Sequence, residues 1–170
     1  MSGFVHFDLK PANVFMDLSS SRFTAVVADM GIAKIIGSFV QSEKVSIPAG
    51  LNVPIQNGMT IAYAAPECLL NSFASSFCLE ANKKSDVYSY AITIFELINP
   101  QKAWHQFHMA DLVSKIIKGE RPIFAKDCTE SLKNTDLEPF PALLEKCWSQ
   151  DPKERPSFQQ IIKIIKKESN

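Results

Sequence analysis

Hydrophobic and polar positions change period along the chain. Near the N-terminus, Val14-Phe15-Met16 and Phe23-Thr24-Ala25-Val26-Val27 are β-rich runs on either side of the polar turn Asp17-Leu18-Ser19-Ser20-Ser21. That pattern predicts a hairpin, and residues 3–6 read as a further short strand. From residue 65 onward the spacing becomes helical. Val87, Ala91, Ile94, Phe95 and Ile98 recur on one face of a helix predicted over 85–98, and Ile92 and Leu97 widen its apolar surface so that it is buried on most sides. Ser85 reads as its N-cap, Asp86 suits the positive end of its dipole, and Asn99-Pro100 stops it. Leu112, Val113, Ile116 and Ile117 predict a helix over 109–118 that Gly119 ends, and Leu143, Leu144, Cys147 and Trp148 predict one over 140–148. Phe158, Ile161, Ile162 and Ile165 predict a last helix over 158–167, opened by a Ser157-x-x-Gln160 capping box. A short helix fits 65–71. These stripes are read as core. Residues 32–64 show little regular pattern, and a loop of that length in a compact domain is usually functional or mobile.

Composition narrows the class. A chain of 170 residues is one domain-sized unit, and 46% hydrophobic residues can fill a core. The formal net charge of zero gives no reason to expect nucleic acid or an anionic membrane as partner. Cys68, Cys78, Cys128 and Cys147 are widely spaced and form no C-x-x-C, so they read as reduced thiols. His105-x-x-His108 has ligand-like spacing but lacks completing ligands, and reads as two surface histidines. No apolar run reaches roughly 18 residues and no signal-peptide pattern opens the chain, so the expected location is cytoplasmic.

The candidate chemistry lies in His6-Phe7-Asp8-Leu9-Lys10-Pro11-Ala12-Asn13. Asp8 could accept a proton from an alcohol, Lys10 could neutralise a phosphoryl oxygen, and Asn13 could lend its carbonyl oxygen to a hard cation such as Mg²⁺. Pro11 fixes φ within the loop. Asp29, at a strand end in Ala28-Asp29-Met30-Gly31, is a plausible second metal ligand, although Asp before Gly is also a common turn. The hairpin would bring Asn13 and Asp29 close together.

His6-x-Asp8-x-x-x-x-Asn13 followed by Asp29-Met30-Gly31 resembles the catalytic loop and metal loop of protein kinases. Further matches follow in family order: Ala65-Pro66-Glu67, Ser85-Asp86-Val87-Tyr88-Ser89-Tyr90, and Trp148-x-x-Asp151-Pro152-x-x-Arg155-Pro156-Ser157-Phe158. The last two are most similar to the tyrosine-kinase-like branch of serine/threonine kinases. The resemblance implies a mainly α kinase C-terminal lobe, with a hairpin near the N-terminus and helices around a buried central helix. Residues 6–13 would be the catalytic loop, 29–67 the metal loop and activation segment, and 68–168 the helical subdomain.

The same resemblance implies phosphoryl transfer from Mg·ATP to a protein Ser or Thr. Asp8 and Lys10 would be catalytic, with Lys10, Asn13 and Asp29 toward the nucleotide and Asn13 and Asp29 holding Mg²⁺. Glu67 and Arg155 would form a buried ion pair, Asp86 would hold the backbone of the catalytic loop, and Thr60 and Tyr63 would shape the substrate site. Ser38, Ser42 and Ser46 are weak candidate phosphosites. Phe7 stands where the family often has an Arg that binds a phosphate, so a phosphate–arginine clamp is not expected. Met30 replaces a Phe and Met59 a Gly.

No G-x-G-x-x-G occurs, and the N-terminal lobe, with its strand Lys and helix Glu, is expected to be absent. The isolated chain is then expected to be inactive, to expose apolar surface, and to bind Mg·ATP no better than at about millimolar strength, which calorimetry would check. The alternative is a non-catalytic, pseudokinase-like interaction module. The protein substrate is not legible in the sequence.

Overall fold

A computed structural model describes residues 5–19, 23–29, 60–71 and 79–168. A 3-10 turn, Pro11–Asn13, leads into strands β1 (Val14–Asp17) and β2 (Thr24–Val27). A second 3-10 turn, Ile61–Tyr63, precedes helices α1 (Pro66–Asn71), α2 (Leu79–Ile98), α3 (Met109–Ile117), α4 (Lys126–Leu132), α5 (Phe140–Cys147) and α6 (Phe158–Glu168). A third 3-10 turn, Pro152–Glu154, lies just before α6. Among the described residues the architecture is mainly helical with one antiparallel hairpin, as expected.

Helix α2 is the post around which the others pack. Its 20 residues span about 30 Å. Val87, Tyr88, Ala91, Ile92 and Phe95 are buried in one cluster with Leu112 and Ile116 of α3, Leu143, Leu144 and Cys147 of α5, and Ile161 of α6. Phe95 packs at 4.8 Å from Phe124 and 5.9 Å from Trp148, ring centre to ring centre. The apolar surface is broad because neighbours press on α2 from several sides. At its C-terminal end, the Asn99 N–H donates to the Phe95 carbonyl at 2.9 Å, and Pro100 has no N–H to carry the ladder further.

The start of α2 differs from the sequence expectation. It begins at Leu79, so Ser85 lies inside the helix and is no N-cap, and Asp86 is not at a helix N-terminus. Leu79-Glu80-Ala81 and Lys83-Lys84 are good helix formers that extend the helix backward. Residues 5 and 6 belong to no strand, so the short strand expected over 3–6 is not found at its described end. Helix α4 was not anticipated. It buries only Cys128 and Leu132 in an otherwise polar segment, too sparse a stripe to read as periodic.

Helix α3 ends as expected at Gly119, whose φ of 92° is left-handed and suits glycine. The capping box of α6 is present: the Ser157 N–H donates to Gln160 Oε1 at 2.7 Å, and the Gln160 N–H donates to Ser157 Oγ at 3.3 Å. Its apolar stripe is only partly core, for Ile161 is 2% exposed while Ile162 is 50% exposed.

The hairpin pairs Val14 with Val27, Phe15 with Val26, Met16 with Ala25 and Asp17 with Thr24. Phe15, Met16, Phe23, Val26 and Val27 are all exposed. A two-stranded ribbon alone is marginally stable in water, and this one carries its apolar side chains uncovered.

Among the described residues, no helix is long and apolar enough to cross a membrane. Cys68, Cys128 and Cys147 are free thiols. His108 is the N-cap residue of α3, and His105 Nδ1 lies 3.1 Å from the Lys102 carbonyl. Met30, Ser38, Ser42, Ser46, Met59 and Cys78 lie outside the described residues.

Candidate active site

The loop before the hairpin is fixed from below by α2. Asp86 points both carboxylate oxygens at it: the His6 N–H donates to Oδ2 at 2.7 Å and the Phe7 N–H to Oδ1 at 2.9 Å. Burial pushes the Asp86 carboxyl up from its ordinary range, and the two N–H donors oppose that shift. Phe7 sits at φ 66°, a left-handed conformation unusual for a bulky residue. The two bonds to Asp86 help to hold this kink, which turns the chain from His6 toward Asp8. His6 braces the loop from within. Its Nδ1 accepts the Asp8 N–H at 3.3 Å and its Nε2 lies 2.9 Å from the Ala28 carbonyl, a pair of contacts that calls for the Nε2–H tautomer.

Asp8 is buried at 7% exposure, with hydrogen-bond donors at both carboxylate oxygens. Lys10 Nζ lies 2.6 Å from Oδ2, and Asn13 Nδ2 donates to the same oxygen at 3.1 Å and to the Asp8 carbonyl at 2.7 Å. Oδ1 faces Thr60, whose N–H is at 3.2 Å and whose hydroxyl is at 3.4 Å. Lys10 Nζ also donates to Thr60 Oγ1 at 2.9 Å. The short bonds fall on Oδ2 and the long ones on Oδ1, so Oδ1 is the oxygen an incoming hydroxyl could most readily engage. Lys10 stands beside it as a cation that could meet developing negative charge.

Asn13 and Asp29 are brought together through the backbone. The Ala28 N–H donates to the Asn13 carbonyl at 2.9 Å, continuing the β1–β2 ladder, and Asp29 follows at once with a left-handed φ of 61°. The Asn13 NH₂ is committed to Asp8, which leaves its Oδ1 as the oxygen not directed there. With the exposed Asp29 carboxylate this makes two hard oxygen donors at one end of the hairpin, a chemistry that fits Mg²⁺. Among the described residues, no group of three or more His, Cys, Asp or Glu side chains could hold a metal ion. A cation held by Asn13 and Asp29 would need further oxygens from water or a phosphate.

Thr60 and Tyr63 both lie at the 60–63 turn. Tyr63 is tied to α2 twice: its hydroxyl donates to Glu96 Oε2 at 2.5 Å, and its carbonyl accepts from Ser89 Oγ at 2.8 Å. Desolvation is the main reason its hydroxyl pKa is raised, with Glu96 adding to it. The Ala62 carbonyl accepts the Trp104 indole N–H at 2.8 Å. Ser89, Glu96 and Trp104 were missed as site residues by sequence reasoning. The available signal was the polar stripe Asp86, Ser89, Thr93, Glu96, at helical spacing on an otherwise apolar helix.

Glu67 and Arg155 form a two-pronged pair, Nη1–Oε1 2.6 Å and Nη2–Oε2 2.8 Å. Arg155 also donates from Nε to the Ser149 carbonyl and from Nη1 to the Lys84 carbonyl, both at 2.9 Å, and Lys84 Nζ donates to the Arg155 carbonyl. The Arg155 and Arg121 guanidinium groups lie 5.2 and 5.1 Å from the centre of the Tyr88 ring. This network ties α1, α2 and the segment before α6 into one body.

A helical lobe that presents an Asp–Lys–Asn loop beside a hairpin-end Asp has the parts of a phosphoryl-transfer site. The family model described as protein tyrosine and serine/threonine kinase matches residues 1–165, and the chain belongs to the protein kinase family. It is 32% identical over 166 residues to a probable serine/threonine-protein kinase of Dictyostelium discoideum, covering 96% of this chain and 10% of that one. It is 31% identical over 168 residues to the probable serine/threonine-protein kinase roco7 of the same organism, covering 95% of this chain and 5% of that protein. Human ankyrin repeat and protein kinase domain-containing protein 1 is 29% identical over 157 residues, 92% of this chain and 18% of that one. The chain thus spans less than a fifth of the length of each of these relatives.

Proposed function

We propose that this chain is the catalytic-loop lobe of a serine/threonine protein kinase of the tyrosine-kinase-like branch. The observation that carries the reading is the Asp8 carboxylate, buried, flanked by Lys10 at 2.6 Å, and with its more loosely bonded oxygen toward Thr60. In this reading Asp8 Oδ1 orients a substrate Ser or Thr hydroxyl in place of the Thr60 hydroxyl and accepts its proton. Lys10 meets the charge on the transferring group. Asn13 and Asp29 would hold Mg²⁺, and Mg·ATP would supply the phosphoryl group with part of its charge already neutralised. Thr60 and Tyr63 shape the surface on which the protein substrate lies. The names of the relatives support Ser and Thr as acceptors.

The test is phosphoryl transfer from labelled ATP by the native protein, captured with an antibody against residues 120–170. Phosphoamino-acid analysis should find label on Ser and Thr. Asp8→Asn should lower the rate about a hundredfold or more. Transfer indifferent to Asp8, or no transfer at all, would overturn the reading.

A further inference from the structure

Thr60 is the N-cap residue of the Ile61–Tyr63 turn, yet its side chain makes no capping bond. Its hydroxyl is given over to Lys10 and Asp8 instead. The turn buries none of its own residues and closes on two backbone bonds, Tyr63 N–H to Thr60 at 2.9 Å and Ala64 N–H to Ile61 at 3.1 Å. Something outside the turn must therefore keep Thr60 facing Asp8.

We propose that Trp104 is a positioning residue that holds the 60–63 turn, and through it Thr60, against Asp8. Trp104 is 4% exposed and sits at φ 65°, a conformation costly for a bulky side chain and one that persists where its surroundings over-determine it. Here they do. The preceding Ala103 N–H donates to Glu96 Oε1 at 3.0 Å, the Phe107 N–H donates to the Trp104 carbonyl at 2.9 Å, and the Phe107 ring packs at 6.3 Å. From this corner the indole N–H reaches the Ala62 carbonyl. Glu96 closes the circuit, because its other oxygen takes the Tyr63 hydroxyl. One carboxylate thus binds both the strained corner and the turn that the corner holds. The meaning of this assignment rests on the phosphoryl-transfer reading, but its geometry does not.

Amide hydrogen exchange on the full chain tests it. Trp104→Phe keeps most of the apolar volume and removes the indole donor. The Thr60, Tyr63 and Ala64 amides should then exchange about tenfold faster, the worth of one lost hydrogen bond, while the amides of α5 keep their rates. Glu96→Gln, which weakens the same circuit, should act on the same amides, and it serves as the test if Trp104→Phe does not fold. Unchanged exchange at Thr60, or equal acceleration in α5, would overturn the proposal and leave Trp104 as core filling. If the native protein lacked Asp8-dependent transfer while these amides responded, the kinase reading would fail and the coupling would stand.

Discussion

Removing the Glu67 carboxylate isolates one buried charge. The Arg155 side chain is 0% exposed and that of Glu67 is 16% exposed. In Glu67→Ala the guanidinium keeps the Ser149 and Lys84 carbonyls but loses the carboxylate that neutralises it, together with two bonds of 2.6 and 2.8 Å. Breaking a buried pair from one side costs about 3–5 kcal/mol. Glu67 is not wholly buried, so water can enter the vacated space, and the low end, about 3 kcal/mol, is expected. Against a total stability of about 5–15 kcal/mol, this is a fifth or more. At roughly 2–4 °C per kcal/mol the midpoint of thermal unfolding should fall by about 6–12 °C. Urea unfolding followed by tryptophan fluorescence reads it directly, since Trp104 and Trp148 are 4% and 5% exposed. Adding Arg155→Met should recover part of the loss, because no charge is then stranded. A loss below about 1 kcal/mol for Glu67→Ala alone, the size of an exposed surface pair, would refute the reasoning.

Asp86→Ala removes the acceptor of two backbone N–H groups and should cost about 3 kcal/mol, with faster exchange at His6 and Phe7; unchanged exchange there would show that Asp86 does not hold the loop. Burial pushes the fully buried Cys147 thiol up to about 12, with Arg155 opposing, against 9.0 when free. The unfolded chain therefore loses this proton first as pH rises. The thiol's contribution is whole below pH 9.0 and should drain away toward pH 12, so the loss of melting temperature between pH 7 and pH 10 should be smaller in Cys147→Ala than in the parent. Replacing the exposed Phe15 and Phe23 together by Ser should reduce binding of an apolar dye and self-association while changing stability by about 0.5 kcal/mol or less; a large stability loss would mean that the ribbon is packed against something.

What could be read from the sequence was what repeats or sits in a fixed motif. The hairpin was legible because two β-rich runs flank a polar turn, and α3, α5 and α6 because their apolar residues keep a 3.6 period. Gly119 and Ser157-x-x-Gln160 marked their ends because each has a local cause. The start of α2 was not legible. Ser85-Asp86 has the composition of a helix N-terminus, but Asp86 is recruited by the His6 and Phe7 amides, a contact across 80 and 79 positions that no local rule can see. Helix α4 failed for the opposite reason, since it has too few apolar residues to show a period. The residues of the loop, Asp8, Lys10 and Asn13, were named from their chemistry. Their arrangement depends on Thr60, 52 positions from Asp8, and so was not.

The polar stripe of α2 explains why the site and the core cannot be separated. Asp86, Ser89, Thr93 and Glu96 lie at intervals of three or four residues, along one side of the helix that carries most of the buried apolar surface. Asp86 fixes the loop that bears Asp8, while Ser89 and Glu96 fix the turn that bears Thr60. The anchors at the two extremes are ten positions apart, about 15 Å at the rise of an α-helix. The spacing between the loop and the turn is therefore set by a rigid rod. A substitution that tilts α2 would shift both anchors at once and disturb the Asp8–Thr60 contact while the helix itself remained intact. Loss of core packing around Phe95 should accordingly be felt at Thr60, even though no apolar core side chain is among the groups bonded to Asp8.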